Sequence, residues 1–332
     1  MTAVPHAQMP LTGSGVASVS VSVIVPAYGH ADYILTALES ALSQSPPPRE
    51  VIVIDDSSPD DTAARLQSLR DDGRIRYVHQ PNAGMAAARN AGARLATSDY
   101  LYFLDDDDLI YPGALAWLVE ELDQNPDAAI AFGDKIVFSG EPPMAPSDWS
   151  DTRAVDPTRF SMFNQLGSPG QALIRRSAFN AAGGFDAGIW GTDDWDLWLR
   201  LLERYPARSA KRPVLAYRLH ANNASRNVAR MYESSLRVAR RHFDGMNPDR
   251  RTILRRVTYG LLRQHHVPLL QQMFAGAVRE REWAQASAAL RAWTVAWATE
   301  IGASVRLKAH LLRRRRWTLP PDDPLTQAIV QR

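Results

Sequence analysis

The chain of 332 residues contains no cysteine. That excludes disulfide staples, a thiolate nucleophile and cysteine-ligated zinc. No apolar run approaches the ~20 residues needed to cross a bilayer. A G-x-x-x-x-G-K-[ST] run is also missing, which removes a P-loop kinase or ATPase. The run GSGVAS at Gly13–Ser18 precedes the first apolar strand instead of following it, and the true strand–helix turn, PAYGHADY, lacks the glycine pattern of a dinucleotide site. Residues 1–18 have no charged stretch leading into an apolar one, so they read as a flexible leader and not as a signal peptide. These absences point to a cytoplasmic protein.

Hydrophobic residues make up 45% of the chain, enough for one large core, and the formal net charge is only +2. That small sum hides an asymmetry. From Arg230 onward there are 19 basic and 8 acidic residues, which leaves 19 basic and 28 acidic in residues 1–229. Such a split predicts two parts with different partners.

Strand and helix patterns alternate along the acidic part. VSVSVIVPAYG and VIVIDD are β-branched runs, each followed by a helical period, with Ser58 and Pro59 placed to open the second helix. RIRYVHQ, YLYFL and AAIAFGD are further strands, separated by the alanine-rich NAGMAAARNAGARLATS and by a helix opening at Pro112. This spacing predicts βαβ units, hence an α/β fold with a mostly parallel central sheet and helices on both faces. Residues 139–169 are rich in Pro, Ser and Asp and read as a long loop or small subdomain. A further amphipathic helix begins near Asp193, and the pattern from about Val228 to Trp317 is helical and Arg-rich. The expected organisation is a leader (1–18), a catalytic domain (19–227) and a basic helical extension (228–332).

Ligands in such sheets bind at the carboxyl ends of the strands. Tyr28, Asp55–Asp56, Asp105–Asp108 and Asp134 are expected there. Carboxylates converging on one crevice suit Mg²⁺ or Mn²⁺, which takes one or two carboxylates plus substrate phosphates. A solvated acidic turn capping the next helix is the other reading of the four aspartates.

The motifs SVIVPAYG, VIVIDDSSPDDT, NAGMAAARNAGARLATSDYLYFLDDDD, GGFD and DDWDLWLRL occur in this order between Val19 and Ser225. Together they resemble the family 2 glycosyltransferases, inverting enzymes of the GT-A nucleotide-diphospho-sugar transferase fold. The resemblance implies that Pro26, Ala27 and Tyr28 line a nucleotide pocket and that Asp56 accepts from a base N–H. It implies that Arg89 faces the nucleotide phosphates, with a helix-surface ion pair as the alternative. Asp105 and Asp107 would be the two acids of a D-x-D motif, Asp107 the leading metal ligand with Asp105 beside it and His220 a further candidate. Asp106 would meet the ribose, and Asp108 would cap the following helix. Asp194 matches the catalytic base, with Asp193 in support where the family usually has Glu; capping of their helix is the alternative. Its place at a helix N-terminus predicts an ionised carboxylate. Trp190 is an acceptor-side candidate, while Trp195 and Trp198 fall at helical spacing with Leu197 and Leu201 and belong to the core. Asp134 is placed either to orient the acceptor or to hold a neighbouring loop, and His220 is equally readable as structural.

The implied function is a metal-dependent inverting transfer of a sugar from a nucleotide diphosphate, UDP or dTDP before GDP, to a glycan or lipid-linked acceptor in cell-surface polysaccharide synthesis. A sugar nucleotidyltransferase or a non-catalytic nucleotide-sugar-binding scaffold is the alternative. The basic run Arg313–Arg316 beside Trp317 resembles the end of a membrane-surface helix, where each basic residue contributes about 1 kcal/mol. A solvated face or a homodimer contact would use the same segment. No nucleic-acid-binding module accompanies the charge.

Overall fold

The computed structural model describes residues 19–141, 164–244 and 248–313. The expected leader, most of the long loop and the basic run beyond Arg313 lie outside these residues. In chain order the elements begin β1 (Val19–Ala27), α1 (Ala31–Leu42), β2 (Pro48–Asp55), α2 (Thr62–Arg65), α3 (Gln67–Asp71) and β3 (Arg76–His79). They continue with α4 (Met85–Leu95), β4 (Tyr100–Phe103), β5 (Leu109–Ile110), α5 (Ala114–Gln124), β6 (Ile130–Phe138), β7 (Ala172–Arg175) and α6 (Arg176–Ala182). The last are α7 (Asp193–Leu202), β8 (Ala207–Arg218), α8 (Val228–Asp244), α9 (Pro248–Arg279) and α10 (Trp283–Arg313).

Eight strands form one sheet in the order β3-β2-β1-β4-β7-β6-β8-β5. Pairing is parallel from β3 to β4 and between β6 and β8; β7 runs antiparallel to both neighbours, and β5 is antiparallel to β8. β1 and β2 have no wet face, which is why their sequences read as unbroken apolar runs. Ile24, Ile52 and Ile54 point into one core with α4, α6, α7 and α8, whereas Val21, Val23, Val25, Val51 and Val53 point into the other with α1, α3 and α5. Trp195 and Trp198 are fully buried in the first core, as their helical spacing predicts. The same core runs on through Tyr232 and Phe243 of α8 into Leu254, Tyr259 and Leu262 of α9 and Ala292 and Ala296 of α10. Glu300, nearly buried on α10, pairs with Arg256 and Arg263 of α9 and helps to hold that long hairpin.

Three local expectations are corrected. Ser58 does not open a helix at Pro59: its backbone N–H is held by Asp55 Oδ1 and its hydroxyl accepts from Gly29 N, so the helix starts at Thr62. The helix after the aspartates starts at Ala114 behind a left-handed Gly113, not at Pro112, and no side chain caps it. Asp134 does not end its strand. β6 continues to Phe138, and Asp134 sits where the β6–β8 register shifts.

The close approach of α4 to β1 depends on Gly92. A Cβ there would lie 2.3 Å from Ile24 Cγ2, in the centre of a strand with no room to retreat. In an open helix, alanine would gain up to about 1 kcal/mol over glycine; here overpacking costs about 1–3 kcal/mol. Gly92→Ala is therefore expected to lower stability by about 1–2 kcal/mol in urea unfolding followed by circular dichroism.

Candidate active site

The carboxyl ends of β1, β2 and β4 deliver Tyr28, Asp56 and Asp105–Asp108 to one edge of the sheet, and α7 presents Asp193 and Asp194 to it. Of the nucleotide-pocket candidates, Pro26 and Ala27 are buried and Tyr28 is half exposed. Both oxygens of Asp56 are occupied by the loop before α4. Oδ1 accepts from Gln80 Nε2 at 2.7 Å and Ala83 N at 2.9 Å, and Oδ2 from Gly84 N at 2.8 Å. In this state Asp56 fixes the start of α4.

Arg89 is not a surface residue. It is 3% exposed, with Nη2 2.7 Å from Asp105 Oδ1 and Nη1 2.8 Å from Asp193 Oδ2. Its guanidinium therefore ties the strand-end acids to the helix that carries Asp194, and it is not turned toward a phosphate. Asp193, shorter than the usual Glu, still reaches it.

The four aspartates have four different environments. Asp105 is turned to Arg89. Asp106 accepts from Tyr28 N at 2.9 Å on Oδ2 and lies 2.7 Å from His30 Nδ1 through Oδ1. Asp107 Oδ2 is 2.7 Å from His220 Nε2 and 3.4 Å from Asn223 Nδ2. Asp108 is fully buried; it accepts from Arg218 N at 2.9 Å and so holds the end of β8, in place of the expected helix cap. Burial pushes the Asp106 carboxyl up to about 6 against the pull of His30. The same cause raises Asp107 and lifts Asp108 well above the carboxylate range. His30 is drawn the opposite way, to about 9, chiefly by its bond to Asp106.

One ligand atom each from His30, Asp107 and His220 lie within 4.8 Å of one another, the group of metal-ligating side chains that the described residues bring together. Carboxylate and imidazole donors so placed fit a divalent cation. The cation would take the place of the proton shared by His220 and Asp107. Asp105 does not join this group.

Asp194 is 5% exposed; Oδ1 accepts from Trp195 N at 2.7 Å and Oδ2 from Asn164 Nδ2 at 3.1 Å. Burial, reinforced by Asp193, pushes it up to about 7. The helix N-terminus, at about 0.3–1 kcal/mol, is outweighed by desolvation, so the expectation of a firmly ionised carboxylate is corrected. Of the acceptor-side candidates, burial raises Asp134, and Trp190 carries the Arg230 guanidinium 4.1 Å above its ring. Sequence reasoning missed His30, Asn164, Lys135 and Arg218. Lys135 is half-buried near the acids: burial lowers its pKa while Asp108, Asp194 and Asp105 pull it back up. His30, beside Gly29 at the end of β1, could have been found from its strand-end position.

The raised Asp194 has a stability consequence of definite sign. The folded state holds its proton more tightly than an unfolded chain does, so its contribution is complete below about pH 4 and is lost as pH rises through about 7. The loss is on the order of 3–4 kcal/mol. Asp194→Asn is expected to gain on the natural chain by about that amount between pH 4 and pH 8 in denaturant midpoints; parallel pH profiles would contradict this.

Residues 22–183 match the family model described as Glycosyl transferase family 2. Chondroitin synthase of Escherichia coli is 28% identical over 214 residues, 62% of this chain and 30% of that protein. An uncharacterized glycosyltransferase of Rickettsia felis is 26% identical over 220 residues, 63% of this chain and 36% of its own length. The chain thus spans about a third of the length of these relatives. S. aureus TarS in complex with UDP-GlcNAc superposes with a TM-score of 0.60 at 16% identity, covering 90% of this chain and 94% of that one. The mannosyltransferase PcManGT from Pyrobaculum calidifontis, in complex with GDP-Man and Mn2+, gives 0.54 at 21% identity, with 90% of each chain covered. Both share the GT-A fold built here around the strand-end acids. Residues 22–183 of the chain are thus similar to the family 2 glycosyltransferases.

Proposed function

We propose that this protein is a metal-dependent inverting glycosyltransferase that moves a sugar from a nucleotide diphosphate to a hydroxyl of a glycan or lipid-linked acceptor in cell-surface polysaccharide synthesis. The observation that carries the reading is Asp194: a buried carboxylate poised near neutrality, joined through Asp193, Arg89 and Asp105 to the acids at the end of β4. A base with a pKa near the working pH is well matched to taking a proton from a sugar hydroxyl. As that proton passes to Asp194, the acceptor oxygen bonds to the anomeric carbon from the face opposite the diphosphate. The bond from that carbon to the phosphate oxygen breaks, and the nucleoside diphosphate leaves with inversion.

Asp107 and His220 are the residues placed to hold a Mn²⁺ or Mg²⁺ ion, which when bound offsets charge on the departing diphosphate. Pro26, Ala27 and Tyr28 would line the base and ribose side. Asp106 keeps lone pairs for a ribose hydroxyl, and Asp56 could admit a base N–H beside the loop it already holds. UDP or dTDP is the preferred donor base. UDP-GlcNAc in TarS supports the first, while GDP-Man in PcManGT keeps the third nucleotide in the comparison. Trp190, Asp134 and Asp193 stand on the acceptor side.

The C-terminal helices supply a second, compatible reading. Trp283, Leu290, Trp297 and Ile301 are exposed, and their spacing of seven, seven and four residues places them along one face of α10. With the exposed Arg281 and Arg291 close by and the basic run ahead, this face suits an anionic membrane surface that would present a lipid-linked acceptor.

A thermal-shift panel of nucleotides and nucleotide sugars with and without Mn²⁺ tests donor and metal together, and no stabilisation by any nucleotide sugar would sink the enzyme reading. Asp194→Asn is expected to reduce transfer by at least about 10²-fold while donor binding stays near that of the natural chain; loss of donor binding would refute the base assignment. Transfer by the natural chain should decline below about pH 7 as one proton is taken up. For the C-terminal helices, a chain ending before Arg313 should float less with anionic vesicles without losing its fold. A full-length chain that does not float, or that hides this face in a homodimer, would end the membrane reading.

A further inference from the structure

His30 is an unexpected neighbour for the acids at the end of β4, and its contacts divide its two nitrogens. Nδ1 faces Asp106 Oδ1 at 2.7 Å, so Nδ1–H donates to the carboxylate and Nε2 is the nitrogen at which a cation would replace a proton. Asp106 is anchored in turn by Tyr28 N. The His30 ring meets that of His220 edge to face at 5.1 Å between centroids, and it belongs to the group of three donors within 4.8 Å. A buried carboxylate that holds one imidazole nitrogen and leaves the other for the metal is how proteins orient metal-ligating histidines. Asp105, the other acid of the D-x-D pair, has Arg89 on Oδ1 and stands outside the group.

We infer that His30 is a third protein ligand of the cation, oriented by Asp106, and that the resulting two-imidazole, one-carboxylate set discriminates against Mg²⁺. The inference rests on the metal-dependent reading above and goes beyond it in naming the ligand and the selectivity. Mg²⁺ is hard, binds oxygen and usually keeps several waters, whereas imidazole suits the later divalent ions. A pair of aspartates would offer oxygen alone and no such discrimination. The distances permit closure: donors about 2.1 Å from an ion lie at most about 4.2 Å apart across it. The observed limit of 4.8 Å therefore needs movement of well under an ångström per group, and His30 sits on the short turn after Gly29.

The test uses the full chain, ¹⁵N-labelled at histidine, loaded with MnCl2 alone and with MnCl2 plus UDP. Pulsed electron paramagnetic resonance counts imidazole couplings to the ion, and calorimetry compares Mn²⁺ with Mg²⁺. Two coupled imidazoles are expected in the natural chain. His30→Ala and His30→Gln should each show one, with Mn²⁺ affinity lower by about 10-fold or more and Mg²⁺ affinity changed far less. Gln retains a donor for Asp106, so an unaltered thermal midpoint in that variant separates lost ligation from lost fold. A single imidazole in the natural chain, or equal loss of both metals on substitution, overturns the inference and leaves the proposed function standing. Absence of Mn²⁺ binding both with and without UDP would instead remove the metal-dependent reading, and this inference with it.

Discussion

Arg89 is the charge on which the site depends. Two carboxylates from distant parts of the chain, Asp105 and Asp193, meet on its guanidinium, and neither is exposed enough for water to do the same work. Taking either side away would leave an uncompensated buried charge, a change that costs about 3–5 kcal/mol in comparable pairs. Phe185 lies 5.4 Å from the guanidinium carbon, and Nε has no hydrogen-bond partner among the described residues. The cation is thus held by its two ends, and with them α7 is held against the end of β4. Gly92, on the same helix as Arg89, lets that helix lie close enough to β1 for the reach to be possible.

Around this clamp the remaining acids are kept apart by giving each a different partner. Tyr28 N and His30 share Asp106, His220 and Asn223 share Asp107, and the backbone of Arg218 takes Asp108. Repulsion among neighbours is tolerated because no two of them compete for one donor, and burial absorbs the rest by raising their proton affinity. Asp194 is held by Asn164 and the start of α7, and its proton affinity is raised first by burial and then by the neighbouring Asp193.

What the sequence showed and what it hid follow from the range of the interactions. The order of strands and helices was legible because both faces of β1 and β2 are covered, leaving uninterrupted apolar runs, and the acids at strand ends followed from parallel topology. The α2 start was not legible, since Ser58 is engaged by Asp55 and Gly29, and it is Asp60 that accepts from Thr62 N at the start of α2 and from Ala31 N at the start of α1. Arg89 could be placed on a helix but not buried, because its partner Asp193 is 104 residues away in the chain. The proton affinity of Asp194 was misjudged for a related reason: the helix end is visible in sequence, and the walls that desolvate it are not. His30 could be placed at the strand end from the sequence, but its neighbour His220 could not, because the two are brought together only by the fold.

Arg218 gives the chain one further property. Its backbone N–H holds Asp108, its Nε donates to the Asp107 carbonyl, and its guanidinium lies 4.8 Å from the rings of both Tyr33 and Phe138. His220 follows two residues later, and α8 begins at Val228, a connection of eight steps that spans at most about 29 Å when fully drawn out. The imidazole beside Asp107 is therefore pinned from behind by a rigid strand end and from ahead by a helix fused to the main core. Asn223 braces the turn between them, its Oδ1 accepting from His220 N and its Nδ2 donating to the Arg218 carbonyl, so the imidazole inherits its position from the end of β8.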